Sequence, residues 1–118
     1  MVFATPSYAQ WTKVAEATTG DIFYLDFGRI REHQGYVYYW TLQDNLKPDR
    51  QGNISYILYE QGDCQLFRTK PLSFVFYTGP MGSGSRDSQT SLIDDWQYPT
   101  PNSLVEDLLK TVCDAVGK

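Results

Sequence analysis

The run Tyr36-Val37-Tyr38-Tyr39-Trp40-Thr41-Leu42 is apolar or aromatic on both sides of an extended chain. Tyr36, Tyr38, Trp40 and Leu42 fall on one face, and Val37, Tyr39 and Thr41 on the other. A strand of this kind needs cover on both faces, which places it at the centre of a sheet. Aromatic residues make up 15% of the chain, and such rings fit a pleated, half-buried surface better than a helix. The chain has 118 residues, the length of one domain with one core, read here as residues 10–118.

The neighbouring segments extend the sheet. Trp11 to Ala17 and Asp21 to Phe27 flank Thr18-Thr19-Gly20 and read as a hairpin. The polar stretch Arg31-Glu32-His33-Gln34-Gly35 reads as a turn, and Asp44 to Asn53, dense in turn formers, as a surface loop. Ile54 to Glu60 forms the next strand. Gln61-Gly62-Asp63 reads as a tight connection to a strand over Cys64 to Thr69, followed after Lys70-Pro71 by a strand over Leu72 to Thr78. The count is about six strands, and with no helical crossover between them the pairing must be antiparallel.

From Gly79 to Thr100 the pattern dissolves into Gly, Ser, Pro, Asp and Thr, a long loop of the kind that commonly carries function. A helix follows. Ser103 with Glu106 three residues on is a capping box, and Gly117 marks the left-handed stop. Leu104, Val105, Leu108, Leu109, Val112, Cys113 and Val116 make its apolar face. The fold class is therefore α+β: an antiparallel sheet with one C-terminal helix packed on one face.

Cys64 and Cys113 are the chain's 2 cysteines, too few for a cysteine-based zinc site. One disulfide between them, tethering helix to sheet, is the natural reading; two buried free thiols are the alternative. The bridge would close a loop of about 50 residues, for which chain entropy gives up to about 4 kcal/mol. At the other end, Ser7 and Ala9 stand at the −3 and −1 positions of a signal-peptidase site. Met1 to Ala9 reads as a signal-peptide remnant or a disordered N-terminus, and the protein as periplasmic or secreted. No cysteine near that junction offers a site for lipid attachment.

Net charge is −4, which removes the electrostatic drive toward nucleic acid or anionic lipid. Apolar runs such as Phe74 to Tyr77 are far short of the roughly 20 residues of a membrane-spanning helix. No motif for a cofactor, metal or catalytic group stands out. His33, the single histidine, sits in the polar turn, and no serine occupies a nucleophile elbow. Gly82-Ser83-Gly84-Ser85 lacks the Lys-Ser/Thr ending of a phosphate loop. Asp87, Asp94 and Asp95 match no EF-hand spacing. The aromatic strip Tyr36, Tyr38, Tyr39, Trp40, Tyr56 and Tyr59 lacks basic interleaving along the sequence, so packing accounts for most of it, with an exposed part left as a protein-binding surface. The candidate contact is the loop carrying Gly79, Pro80, Met81, Gly82, Ser83, Gly84, Asp87, Asp94 and Asp95.

Several stretches together resemble the surface-adhesin protein E family of bacterial envelope proteins. They are Tyr24-Leu25-Asp26 with Ile30 and Tyr38-Tyr39-Trp40; Tyr59 to Cys64; Arg68; Tyr77-Thr78-Gly79-Pro80-Met81-Gly82-Ser83-Gly84; Trp96-Gln97-Tyr98 with Pro101 and Ser103; and Cys113. The resemblance spans Trp11 to Cys113. It implies an antiparallel sheet with a terminal helix held by a disulfide, and an exported protein, since adhesin members of the family bind host extracellular-matrix and serum proteins. The expectation is a non-enzymatic binding module with an unidentified protein partner. A small periplasmic enzyme built on His33, and a structural protein that homodimerises through a sheet edge, are the alternatives.

Overall fold

The computed structural model describes residues 9–90 and 94–118, with the Thr90 side chain left aside. Met1 to Tyr8, most of the segment read as a signal remnant, lies outside them. Seven strands form one antiparallel sheet: β1 (Thr12–Glu16), β2 (Ile22–Leu25), β3 (Arg31–His33), β4 (Tyr36–Asp44), β5 (Ser55–Asp63), β6 (Arg68–Tyr77) and β7 (Arg86–Thr90). The order is β1-β2-β4-β5-β6-β7, and β3 also pairs with β4. β2 and β3 share one side of β4: β2 lies against Thr41 to Asp44 and β3 against Tyr36 to Tyr38, with a 3-10 turn, Phe27–Arg29, between them. One helix, α1 (Leu104–Ala115), follows.

β4 is central, as its two apolar faces require. The helix covers one of them: Leu108, Leu109, Val112 and Cys113 pack with Leu25, Val37 and Tyr39 in the buried core. Gly62 of β5 lies under this contact, and a Cβ there would stand 2.9 Å from both Leu109 and Val37 and 3.2 Å from Tyr39. The glycine is needed for close approach, not for a turn. For that reason Gln61-Gly62-Asp63, expected as a connection, is instead the last part of β5.

Four further expectations are corrected. The turn between β5 and β6 is Cys64 to Phe67, so Cys64 sits in a turn and not at the head of a strand. The segments Cys64–Thr69 and Leu72–Thr78 are not two strands, because β6 runs unbroken from Arg68 through Pro71. The ladder slips by one residue there: Tyr59 faces Ser73 while Glu60 faces Pro71, and an extra residue at such a bulge accommodates a proline that cannot donate to the ladder. Arg31–His33 is a strand, closed onto β4 by a turn in which Gln34 (φ 51) and Gly35 (φ 85) are both left-handed, the tight hairpin form that matches strand twist. The expected long loop is also interrupted, by a 3-10 turn, Pro80–Gly82, and by β7.

The helix begins and ends as its sequence dictates. Ser103 Oγ accepts from Glu106 N at 3.2 Å, while Glu106 Oε1 accepts from Asn102 N at 3.1 Å. At the other end Gly117 (φ 78) lets Lys118 N donate to Cys113 O at 2.8 Å. Val105, counted on the apolar face, is 44% exposed, because it lies in the first turn, ahead of the buried Leu108 and Leu109. The Cys64–Cys113 disulfide joins the β5–β6 turn to the last turn of α1, with a Cα–Cα distance of 5.8 Å.

Candidate binding face

Strand alternation sends Tyr36, Tyr38 and Trp40 away from the helix, and register sets their neighbours. Tyr38 faces Arg31 of β3 and Gln61 of β5, and Gln61 faces Lys70 of β6. The row Arg31–Tyr38–Gln61–Lys70 thus crosses four strands on one face. Gln61 Nε2 donates to the Tyr38 hydroxyl at 3.1 Å, and Arg31 donates to the Tyr59 hydroxyl at 3.0 Å. Tyr59 stacks against Trp40, with ring centres 4.4 Å apart, and against Tyr38 at 6.2 Å.

Two buried carboxylates aim two arginines at two tryptophans on this face. Asp26 accepts from Arg29 Nε at 2.6 Å and from Gly28 N at 3.2 Å, and the Arg29 guanidinium lies 5.5 Å from the Trp40 ring centre. Asp63 accepts from Arg68 Nε at 2.9 Å, and Arg68 lies 4.3 Å from the Trp96 ring centre. Burial alone would raise the Asp63 carboxyl. The amides of Gln65 and Leu66 and the bond and charge of Arg68 outweigh it and hold it below the usual carboxylate range. Trp96 is brought in by a two-bond bridge: Thr69 N donates to Gln97 O at 2.9 Å, and Gln97 N to Thr69 O at 2.7 Å. Its indole packs on Tyr36 at 5.2 Å, with Lys70 Nζ 5.0 Å from the ring centre. Arg31 completes the set, 5.4 Å from the Tyr38 ring centre. Such cation–π contacts contribute about 0.5–1 kcal/mol each where exposed.

The other end of this face is closed by the Pro80–Gly82 turn. Met81 N donates to Asp44 Oδ1 at 3.1 Å, Gly82 N to Ser55 Oγ at 2.9 Å, and Ser55 Oγ to Gly79 O at 2.7 Å. The expected contact loop is therefore divided among three places. Gly79 to Gly84 borders the aromatic face, with Met81 41% exposed. Asp87 lies opposite Phe76 on the helix side of the sheet. Asp94 and Asp95 are exposed just ahead of Trp96.

The expected aromatic strip is divided too. Tyr36, Tyr38, Trp40 and Tyr59 share the open face, Tyr39 is buried beneath the helix, and Tyr56 lies on the helix side against Phe76 at 5.3 Å. Basic interleaving, absent along the sequence, is present in space through Arg29, Arg31, Arg68 and Lys70. Their signal in the sequence was indirect: Arg31, Arg68 and Lys70 stand at alternating positions of strands that only register brings beside Tyr36, Tyr38 and Trp40. His33 is exposed at the edge of the sheet, 6.4 Å from the Tyr38 ring centre. Among the described residues, no group of three or more His, Cys, Asp or Glu is placed to hold a metal ion.

On the helix side, beyond the reach of α1, Gln43, Tyr56, Leu58, Phe74, Phe76 and Gln89 line a shallow hollow of about 470 Å³. Glu60 is on this side as well, the cross-strand partner of Tyr39. Burial raises its carboxyl above the usual range. Tyr39 is itself pushed up, first by burial and then by Glu60. The Tyr39 hydroxyl is buried with no partner in hydrogen-bonding geometry among the described residues.

This is an α+β domain with one sheet face braced by a disulfide-tethered helix and the other, lined by aromatic rings and cations, left without a helix among the described residues. The chain belongs to the surface-adhesin protein E family, whose profile matches residues 11–114. That family is one of surface adhesins and not an enzyme class. Crystal form II of Haemophilus influenzae protein E has a similar fold, with a TM-score of 0.72 over 100% of this chain and 98% of that one, at 15% identity. A second structure of H. influenzae protein E gives 0.67 over 99% and 93%, at 13% identity. No curated protein sequence matches the chain. No helix among the described residues is long and apolar enough to cross a membrane.

Proposed function

We propose that this chain is an exported, non-enzymatic binding module of the bacterial envelope that holds a protein partner on the open face of its sheet. The observation that carries the reading is the cluster of Trp40, Tyr38, Tyr59, Arg29 and Arg31 on a face that no helix covers among the described residues. Trp, Tyr and Arg are the residue types that dominate interface energetics. Met81, 41% exposed, stands at one end of that face and supplies part of its rim. Through Met81, the Gly79–Gly84 turn enters the contact. Export is supported by the Cys64–Cys113 bridge, which belongs in an oxidising compartment, and by membership of a surface-adhesin family.

The test is binding of the purified protein to immobilised extracellular-matrix and serum proteins, with Trp40→Ala and Tyr59→Ala alongside. A loss of about tenfold or more in either variant, with melting temperature kept within a few degrees, supports the reading. Binding unchanged in both, or absent to every protein tried, overturns it. The exposed β7 strand, unpaired on its outer edge among the described residues, supports self-pairing into a homodimer as a second reading. Sedimentation at increasing concentration separates that from a monomer.

A further inference from the structure

Charge on this molecule is unevenly placed. The chain carries −4 overall, yet the open face gathers Arg29, Arg31, Arg68 and Lys70. Arg29 and Arg68 are each paired with a buried aspartate. Arg31 and Lys70 make no ion pair among the described residues, whose salt bridges are Lys13–Glu16, Arg29–Asp26, Arg68–Asp63 and Lys118–Glu32. Glu32, next to Arg31 in sequence, faces Val37 on the helix side and pairs with Lys118. Asp94 and Asp95, near Trp96, reach neither cation. Arg86 of β7, level with Tyr77, is a third cation on this side without an ion pair among the described residues, but it stands apart from the aromatic cluster. Arg31 and Lys70 flank that cluster at the two ends of one register row, Arg31–Tyr38–Gln61–Lys70.

Adjacent strands are spaced about 4.8 Å, so three intervals put the backbone positions of these ends about 14 Å apart, with the Arg31 guanidinium drawn inward to the Tyr59 hydroxyl at 3.0 Å. An extended peptide rises about 3.4 Å per residue, and its residues i and i+4 point the same way about 14 Å apart. The Arg31 guanidinium lies over Tyr38, so the floor left between the two cations is the Gln61 amide, suited to an uncharged side chain at i+2.

We infer that the open face takes an extended acidic segment of its partner, laid across the strands with carboxylates at i and i+4 meeting Arg31 and Lys70. The inference rests on the binding reading above and adds the chemistry of the partner. Both cations are held over rings, Arg31 over Tyr38 and Lys70 over Trp96. Their side chains are thereby partly ordered before a ligand arrives, which lowers the entropic cost of pairing.

The test uses the two tryptophans of the face, Trp40 and Trp96, as fluorescent reporters. The probe is a nine-residue Thr/Val-rich peptide with Glu at positions 3 and 7. Controls are the same peptide with Gln or with Lys at both positions, a ten-nucleotide oligo-dT, and a heparin hexasaccharide. The Glu peptide is expected to bind, to weaken as salt rises, and to lose about tenfold on Arg31→Glu or Lys70→Glu. Gln at one position should cost about threefold. No binding at millimolar peptide, equal binding of the Gln peptide, or tighter binding of oligo-dT or heparin with the same variant dependence overturns the inference. If Trp40→Ala abolishes capture of a matrix or serum protein while Arg31→Glu and Lys70→Glu leave it intact, the acidic-segment inference falls and the binding face stands. If all three leave it intact, the binding face falls as well.

Discussion

Arg68 Nε donates to Asp63 Oδ2 at 2.9 Å, and this one bond serves both the frame and the face. Asp63 immediately precedes Cys64, and its other oxygen accepts from Gln65 N at 3.1 Å and Leu66 N at 3.2 Å. The carboxylate thus folds the turn that carries the disulfide, while its partner guanidinium is held over Trp96.

Asp63→Asn should cost about 1–3 kcal/mol at neutral pH, the range for stripping charge-assisted bonds from a buried group. Its pH signature is specific. Asp63 is held below its ordinary value of about 3.9, so its contribution is complete above that value and lost as pH falls through the lower folded one. Urea unfolding between pH 6 and 3 should show a shallower acid loss in the variant than in the parent. An identical slope in both would remove Asp63 from the account.

Glu60 works in the opposite direction. Burial raises its carboxyl, so the folded state favours the protonated form. The stability that comes with protonation is complete below about 4.3, the unfolded value, and is lost as pH rises through the raised folded one. At neutral pH the buried Glu60 carboxyl is a liability. Glu60→Gln should raise the melting temperature at pH 7 and leave it nearly unchanged at pH 4; a fall at pH 7 would contradict this account.

The elements legible in the sequence were those whose residues announce their own surroundings. β4 was read from two apolar faces, and α1 from a capping box, an apolar stripe and a terminal glycine. β3 and β7 were missed because Arg-Glu-His and Arg-Asp-Ser-Gln-Thr carry no apolar alternation. The first lies along the exposed margin of β4 and the second is an edge strand, and neither position requires one. Gly62 and Pro71 misled for the same reason in reverse: each looks like punctuation, yet one is a close-packing site and the other sits at a bulge. The candidate face was only half legible. Its rings stand together in Tyr38-Tyr39-Trp40, but its cations come from other strands, and no linear pattern shows that Arg31 and Lys70 lie in the same row as Tyr38.

Gly62→Ala should destabilise the protein by about 1–3 kcal/mol, the usual cost of overpacking a core. The added methyl would meet Leu109, Val37 and Tyr39, all buried, within 2.9 to 3.2 Å. The backbone at Gly62 is an ordinary strand, so the cost is steric and not conformational. Combining it with Leu109→Ala should therefore cost less than the sum of the two single changes, since each variant relieves the other. A strictly additive double mutant would show that the helix contact is not what requires the glycine.

The disulfide should matter more to the helix than to the sheet. Cys113 sits in the last turns of α1 and Cys64 in the β5–β6 turn, with 49 residues of separation, so breaking the bridge frees a long loop and removes up to about 4 kcal/mol. The sheet keeps its ladder through six strand pairings, whereas α1 leans mainly on Leu108, Leu109 and Val112. In Cys64→Ala/Cys113→Ala, hydrogen exchange should accelerate first in Leu104–Ala115 and only later in β4 and β5. Trp96, pinned next to the same turn through Thr69, should shift its fluorescence along with the helix. Uniform acceleration across sheet and helix would mean that the two unfold as one unit and that the bridge stabilises the whole domain rather than fastening its lid.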